Sequence, residues 1–138
     1  MLTNTNTYTG ATTIDAGTLE VDGSIANSSS VTVNAGGRLS GTGIVDPATT
    51  TIMSGGTLAP GSAANPTGTL TITGNLAFQS GAIYLLQVTP SAAASTNVSG
   101  AALGTVAVGA LVALLDPSAL VAVMTTRSWV FSSVVPNA

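Results

Sequence analysis

The side chains that could do chemistry are few, and almost all of them are acids. The 138 residues include no histidine, cysteine or lysine, and the carboxylates are Asp15, Glu20, Asp22, Asp46 and Asp116. Two carboxyl groups facing one another across a sugar are the minimal equipment for glycoside cleavage, one protonating the leaving oxygen while the other attacks or activates water. Asp15, Glu20 and Asp22 lie close enough in the chain to be weighed for that role. Asp15 and Glu20 fall on outward positions of alternating segments, where a solvated face accounts for them. Serine and threonine are abundant, but a hydroxyl nucleophile needs a base, and no imidazole is present to supply one. No catalytic residue is assigned on these grounds.

Ligand and metal motifs fare no better. Calcium-binding coils repeat Gly-Gly-x-Gly-x-Asp, and Gly36-Gly37-Arg38-Leu39 does not follow that pattern. Gly41-Thr42-Gly43-Ile44-Val45-Asp46 lacks the third glycine of a dinucleotide loop and opens no helix, so it reads as a turn. No metal site and no cofactor are expected. Asn27-Ser28-Ser29 and Asn97-Val98-Ser99 are glycosylation sequons only in a eukaryotic secretory setting.

Composition narrows the function classes further. The formal charge is −3, with Arg38 and Arg127 as the only cations, which leaves nothing to neutralise a phosphate backbone and excludes nucleic acid as a partner. Charged residues make up 5% of the chain, against roughly 25% in ordinary soluble domains. Thr, Ser, Asn, Ala, Val and Gly take their place. Such small and β-branched side chains suit thin, closely stacked layers better than a bulky core. Without cysteine there is no disulfide framework, and an oxidising destination is permitted but not indicated. The start, Met1-Leu2-Thr3-Asn4-Thr5-Asn6-Thr7, has neither the basic nor the apolar segment of an export signal, so any such signal is expected elsewhere.

The elements that must position these side chains are announced by internal repetition. Ile14-Asp15-Ala16-Gly17-Thr18-Leu19-Glu20-Val21 aligns with Val33-Asn34-Ala35-Gly36-Gly37-Arg38-Leu39-Ser40, and then with Ile52-Met53-Ser54-Gly55-Gly56-Thr57-Leu58-Ala59. Ile72-Thr73-Gly74-Asn75-Leu76-Ala77-Phe78 is a looser fourth copy, so that Leu19, Leu39, Leu58 and Leu76 follow one another at a single, slowly shortening period. Each unit is an alternating strand, a glycine corner and a second alternating strand. Glycine suits the corner because a sharp change of direction often needs positive φ. About 20 residues at roughly 3.3 Å each trace one turn of a three-sided coil, with neighbouring turns stacked about 4.8 Å apart. The expected fold is therefore all-β, a parallel β-helix or solenoid of about four to five coils. A sandwich of short antiparallel hairpins satisfies the same alternation and is the second possibility.

The prolines and glycines of Ala59-Pro60-Gly61-Ser62-Ala63-Ala64-Asn65-Pro66-Thr67-Gly68 predict a protruding loop, after which Thr69 to Ile72 and Ala82 to Val88 read as strands and Ser91 to Thr96 as a linker. Residues 1–99 form the repetitive domain. Residues 100–138 form an apolar tail of irregular structure, read from its abrupt change of composition as a truncated or frame-shifted end. Its uncharged run, Ala101 to Leu115, is too short to span a bilayer.

Asn6-Thr7-Tyr8-Thr9-Gly10-Ala11-Thr12-Thr13-Ile14-Asp15-Ala16-Gly17-Thr18-Leu19 resembles the autotransporter-associated β-strand repeat, whose usual wording is close to NTYTGGTTINAGTL. Val31-Thr32-Val33-Asn34-Ala35-Gly36-Gly37-Arg38-Leu39-Ser40-Gly41-Thr42-Gly43 and Ser54-Gly55-Gly56-Thr57-Leu58-Ala59-Pro60-Gly61 resemble the passenger sequence that follows such repeats, so the likeness covers about residues 3 to 100. The resemblance implies a right-handed β-helix displayed at the surface of a Gram-negative cell, a structural or adhesive stalk and not an enzyme. It implies a host or matrix surface as partner, or self-association through the end coils. The membrane would be met only through a C-terminal outer-membrane barrel that this chain lacks. A carbohydrate-active β-helix is the alternative function.

Overall fold

The alternation of small, β-branched residues makes strands of only two to six residues, each too short to persist alone. They persist because each pairs with its counterpart one coil away. A computed structural model describes residues 1–104 and 110–115 and contains strands but no helix among them. Three parallel sheets form the three sides of a solenoid of about four turns.

The first side stacks β1 (Thr12–Ile14), β3 (Val31–Val33), β6 (Thr49–Ile52), β9 (Asn75–Phe78) and β12 (Ala102–Gly104). The second stacks β2 (Gly17–Glu20), β4 (Gly37–Gly41), β7 (Thr57–Pro60), β10 (Ile83–Val88) and β13 (Ala110–Leu115). The third holds β5 (Ile44–Val45), β8 (Thr69–Ile72) and β11 (Ser95–Val98), and single parallel bridges from Ile44 to Ser24 and from Ser24 to Thr5 extend it toward the N-terminus. Among the described residues every ladder is parallel, and the only antiparallel contacts are the isolated bridges Gly41 to Gly61 and Val88 to Ala93. A hairpin sandwich would have required the opposite, so the coil is the fold.

The corner between the first and second sides is where glycine is indispensable. Gly17, Gly36, Gly55 and Gly81 carry φ of 73°, 83°, 75° and 84°. Their amides also link the coils, Gly17 N–H to Gly36 O at 3.1 Å, Gly36 to Gly55 at 3.1 Å and Gly55 to Gly81 at 2.9 Å. Within three of these corners a tight turn closes, from Gly37 N–H to Asn34 O, from Gly56 to Met53 and from Ala82 to Gln79, each at 2.9 Å. Glycine at the third turn position is what such a positive φ demands.

Inside the coil, equivalent residues stack in columns. Ile14, Val33, Ile52 and Phe78 form one; Leu19, Leu39, Leu58 and Tyr84 form another; Val45, Ile72 and Val98 form a third. Leu39, Val33, Ile52, Leu58, Val45 and Ile72 are completely buried. Each such side chain removed from water contributes about 1.5–3 kcal/mol, which a lone coil could not collect.

One alignment drawn from the sequence is corrected. Leu76 does not continue the leucine column: it stacks on Thr50 in the first side, and Tyr84 stacks on Leu58. The fourth glycine corner is accordingly Gly81, while Gly74 lies just before β9. The cause is a change in coil length. Gly41 pairs with Pro60 and Ile44 with Thr71, so the link from second to third side is longer in the later coil by the whole of the 61–68 loop. From there the rungs are longer than those before the loop: Val31 pairs with Thr50, but Thr50 pairs with Leu76 and Leu70 with Thr96. The aromatic pair Phe78 and Tyr84, ring centroids 5.8 Å apart, stands where the aliphatic columns meet the longer coils.

The expected loop is present but starts later, at Gly61, because Ala59 and Pro60 belong to β7. The expected linker is shorter, since Ser95 and Thr96 are already in β11. Beyond residue 99, β12 and β13 continue the parallel pairing onto β9 and β10. The remainder of the apolar tail lies outside the described residues.

Candidate functional site

On the outer face of the second side several polar side chains gather beside a loop. In that sheet Leu19, Leu39, Leu58 and Tyr84 point inward, so Thr18 and Glu20 on β2 and Arg38 and Ser40 on β4 point out. Register sets Thr18 beside Arg38 and Glu20 beside Ser40. The loop of residues 61–68 then turns back across this face. A reciprocal backbone pair, Gly41 N–H to Gly61 O at 2.8 Å and Gly61 N–H to Gly41 O at 2.9 Å, anchors its base. Its bend is held by Ser62 N–H and Gly68 N–H, both donating to Asn65 O at 3.0 Å, and by Asn65 N–H donating to Ser62 Oγ at 3.2 Å. The result is a cleft of about 360 Å³ with Glu20, Arg38, Ser40 and Gln87 as its polar wall and Pro60 and Pro66 as its apolar one.

Two buried atoms of residues that line this cleft have no protein partner. Ser40 is 2% exposed, and its Oγ accepts and donates nothing; Arg38 Nε is likewise buried and unpaired. An unmatched buried hydroxyl costs about 1–3 kcal/mol, so its presence calls for an account.

The acids weighed from the sequence are dispersed. Asp15 is exposed at the glycine corner and accepts a hydrogen bond from Asn34 Nδ2 at 2.7 Å. Asp22 Oδ1 accepts from Thr42 N–H at 3.0 Å and Thr42 Oγ1 at 3.1 Å, bracing one coil against the next. Asp46 is exposed on the third side, and Asp116 lies outside the described residues. Of the described acids only Glu20 enters the cleft. Among the described residues no three acids gather as a metal site would require, and no helix is long and apolar enough to cross a membrane. Tyr84 has a perturbed ionisation: burial raises its pKa above 10.0, opposed by the hydrogen bond from its hydroxyl to Thr96 Oγ1 at 3.1 Å.

A second hollow, about 380 Å³, opens at the N-terminal end of the solenoid between Leu2, Tyr8, Ile14, Asp15 and Leu19. Here the first coil meets only the short segment of residues 1–6, paired through Leu2 to Val21 and Thr5 to Ser24.

Residues 1–21, which supply that segment, β1, the first glycine corner and β2, match the family of the passenger-associated-transport-repeat. The chain carries an autotransporter passenger repeat. No curated protein and no solved structure gives a significant match. The passenger repeat corresponds to one coil of the solenoid, and the next coils repeat its path with other residues. Sequence reasoning assigned no site, and it passed over Arg38 and Ser40. Arg38 had one visible signal, being the only cation before residue 127. Ser40 had none, because the 61–68 loop that lines the cleft with it belongs to a later coil.

Proposed function

We propose that this chain is a segment of a secreted passenger displayed at a bacterial surface, a stiff stalk with a structural or adhesive role and no catalytic activity. The observation that carries this reading is the column architecture: parallel rungs in register, apolar columns sealed inside and Thr, Ser and Asn facing out on successive coils. Such a rod resists bending because each rung is tied to its neighbours by strand hydrogen bonds along three sides. The passenger repeat at residues 1–21 supports the surface location. Its partners would be a host or matrix surface, or further copies meeting through the open end coil.

A carbohydrate-active enzyme needs two carboxyl groups on one side of a sugar, about 5–10 Å apart. Asp15 and Asp22 are each engaged by a neighbouring coil, which leaves Glu20 alone in the cleft. The stalk reading is tested by placing the chain, with an epitope tag, between an export signal and an outer-membrane barrel. Labelling of the tag on intact cells supports it; a tag reached only after lysis, or cleavage of polysaccharides by the purified chain, counts against it.

A further inference from the structure

We infer that the N-terminal edge of the solenoid is a strand-addition site for a second copy of this chain, received end to end and in parallel orientation. The inference rests on the stalk reading, in which further copies meet through an end coil. It adds which edge receives the copy, which backbone groups hold it and what assembly results.

Parallel pairing turns alternate residues of a strand toward opposite neighbours. In β1 Thr12 N–H donates to Ser30 O at 2.8 Å and Ile14 O accepts from Asn34 N–H at 2.9 Å, so both residues face β3. Thr13, between them, aims its N–H and C=O at the opposite edge. In β2 Gly17 N–H donates to Gly36 O and Val21 N–H to Ser40 O, which leaves Thr18 and Glu20 facing that same edge. Leu2 shows what the edge accepts. Its N–H donates to Glu20 O at 2.8 Å and its C=O accepts from Asp22 N–H at 2.9 Å, the bonds of a parallel rung. Upstream of that point β1 and β2 each end their sheet, and among the described residues no strand lies against Thr13 or Thr18 on this side. The N–H and C=O of both threonines and the N–H of Glu20 are therefore open to an incoming strand.

The space beside them has the course of a strand, a corner and a strand. The hollow of about 380 Å³ runs along Thr12 to Ala16 and then Thr18 and Leu19, with Leu2 and Tyr8 as its flanks. No lysine or proline stands between Thr12 and Glu20, although these are the residues by which proteins keep free edges from pairing.

A second copy carries the matching edge. Among the described strands β12 ends the first sheet and pairs with β9 alone. Leu76 N–H donates to Ala101 O at 2.9 Å, which turns Ala101 toward β9 and, by alternation, Ala102 away from it. Ala102 thus faces the end of the stack as Thr13 faces its start. Laying β12 of one copy against β1 of the next continues the existing parallel ladder at its spacing of about 4.8 Å. Two unlike edges meet in this contact, so it is head to tail and extends the rod without closing into a dimer.

The test follows the full chain from roughly 5 to 500 µM, the range in which a small edge contact becomes populated. Sedimentation velocity should show species that grow past the dimer as concentration rises. Hydrogen exchange of the Thr13, Thr18 and Glu20 amides should slow about tenfold across that range, while Thr12 and Gly17 exchange alike at both ends of it. Thr13→Pro and Thr18→Pro each delete a donor that no strand of the chain uses, and proline is tolerated where the N–H faces solvent. Each should weaken association about tenfold, the equivalent of one backbone hydrogen bond, and melt with the parent in dilute solution. A chain that stays monomeric at about 500 µM overturns the proposal, as does association that stops at a dimer or leaves Thr13 and Thr18 exchange unchanged. Folded proline variants that associate like the parent overturn it as well. The exchange pattern is read on the parent, so it decides even where a proline variant does not fold. Surface display is read separately by the tagged fusion, and none of these outcomes touches it.

Discussion

Two glycines with positive φ separate the conformational cost of a corner from the steric cost of close stacking. At Gly36, φ is 83° and an added Cβ would meet nothing nearer than Asp15 O at 3.9 Å. Gly36→Ala therefore costs only the left-handed conformation, about 1–2 kcal/mol. At Gly41, φ is 125° and a Cβ would overlap the carbonyl of Val21 on the adjoining coil. That carbonyl cannot move freely, since Gly43 N–H donates to it at 2.8 Å, and Gly41 N–H is itself committed to Gly61 O at 2.8 Å. Relief of the overlap must break both bonds and lift the base of the 61–68 loop. With roughly 1–1.5 kcal/mol for each lost bond added to the backbone term, Gly41→Ala should cost about 3–5 kcal/mol. That is a large fraction of the roughly 5–15 kcal/mol that holds a domain together. Urea unfolding of the two variants, followed by circular dichroism, measures the difference directly. Equal losses for Gly36→Ala and Gly41→Ala would refute the reasoning, because they would show that the coils are not in contact at Gly41.

Three further outcomes follow from the columns. Leu58→Ala empties a fully buried place between Leu39 and Tyr84 and should destabilise by about 2–5 kcal/mol, whereas Thr32→Ala on the outer face should stay within about 0.5 kcal/mol in the same urea assay. Thr50 is fully buried between Val31 and Leu76 with no partner for Oγ1, so Thr50→Val should raise stability by about 1 kcal/mol, seen as a higher melting temperature. Tyr84 ionises less readily in the fold than in the unfolded chain, so its contribution is intact below pH 10.0 and is lost as pH rises toward the raised folded value. Tyr84→Phe should remove that alkaline decline, at the cost of the Thr96 hydrogen bond, and melting temperatures across that range would show it.

The path of a single coil was legible in the residues alone. Alternation of Ile, Leu and Val with Thr and Ser selects a strand with one buried side, and glycine soon after Asp15, Asn34 and Met53 marks where the strand must turn with positive φ. Three successive copies of that path imply stacking, because a lone coil has nothing to cover its apolar side. The same residues excluded imidazole, thiolate and lysine chemistry outright.

What lay beyond the sequence was anything that depends on how much chain each coil consumes. Leu76 and Tyr84 are equally plausible heirs to Leu58 in one dimension, and only the pairing of Ile83 and Tyr84 with Thr57 and Leu58 decides between them. The cleft was hidden for the same reason. Glu20, Arg38, Ser40, Gly61 and Gln87 are spread over four successive rungs and become neighbours only when coils of unequal length are set in register. Local preference settles the direction of the chain at each corner, while hydrogen bonding between rungs settles which distant residues share a face.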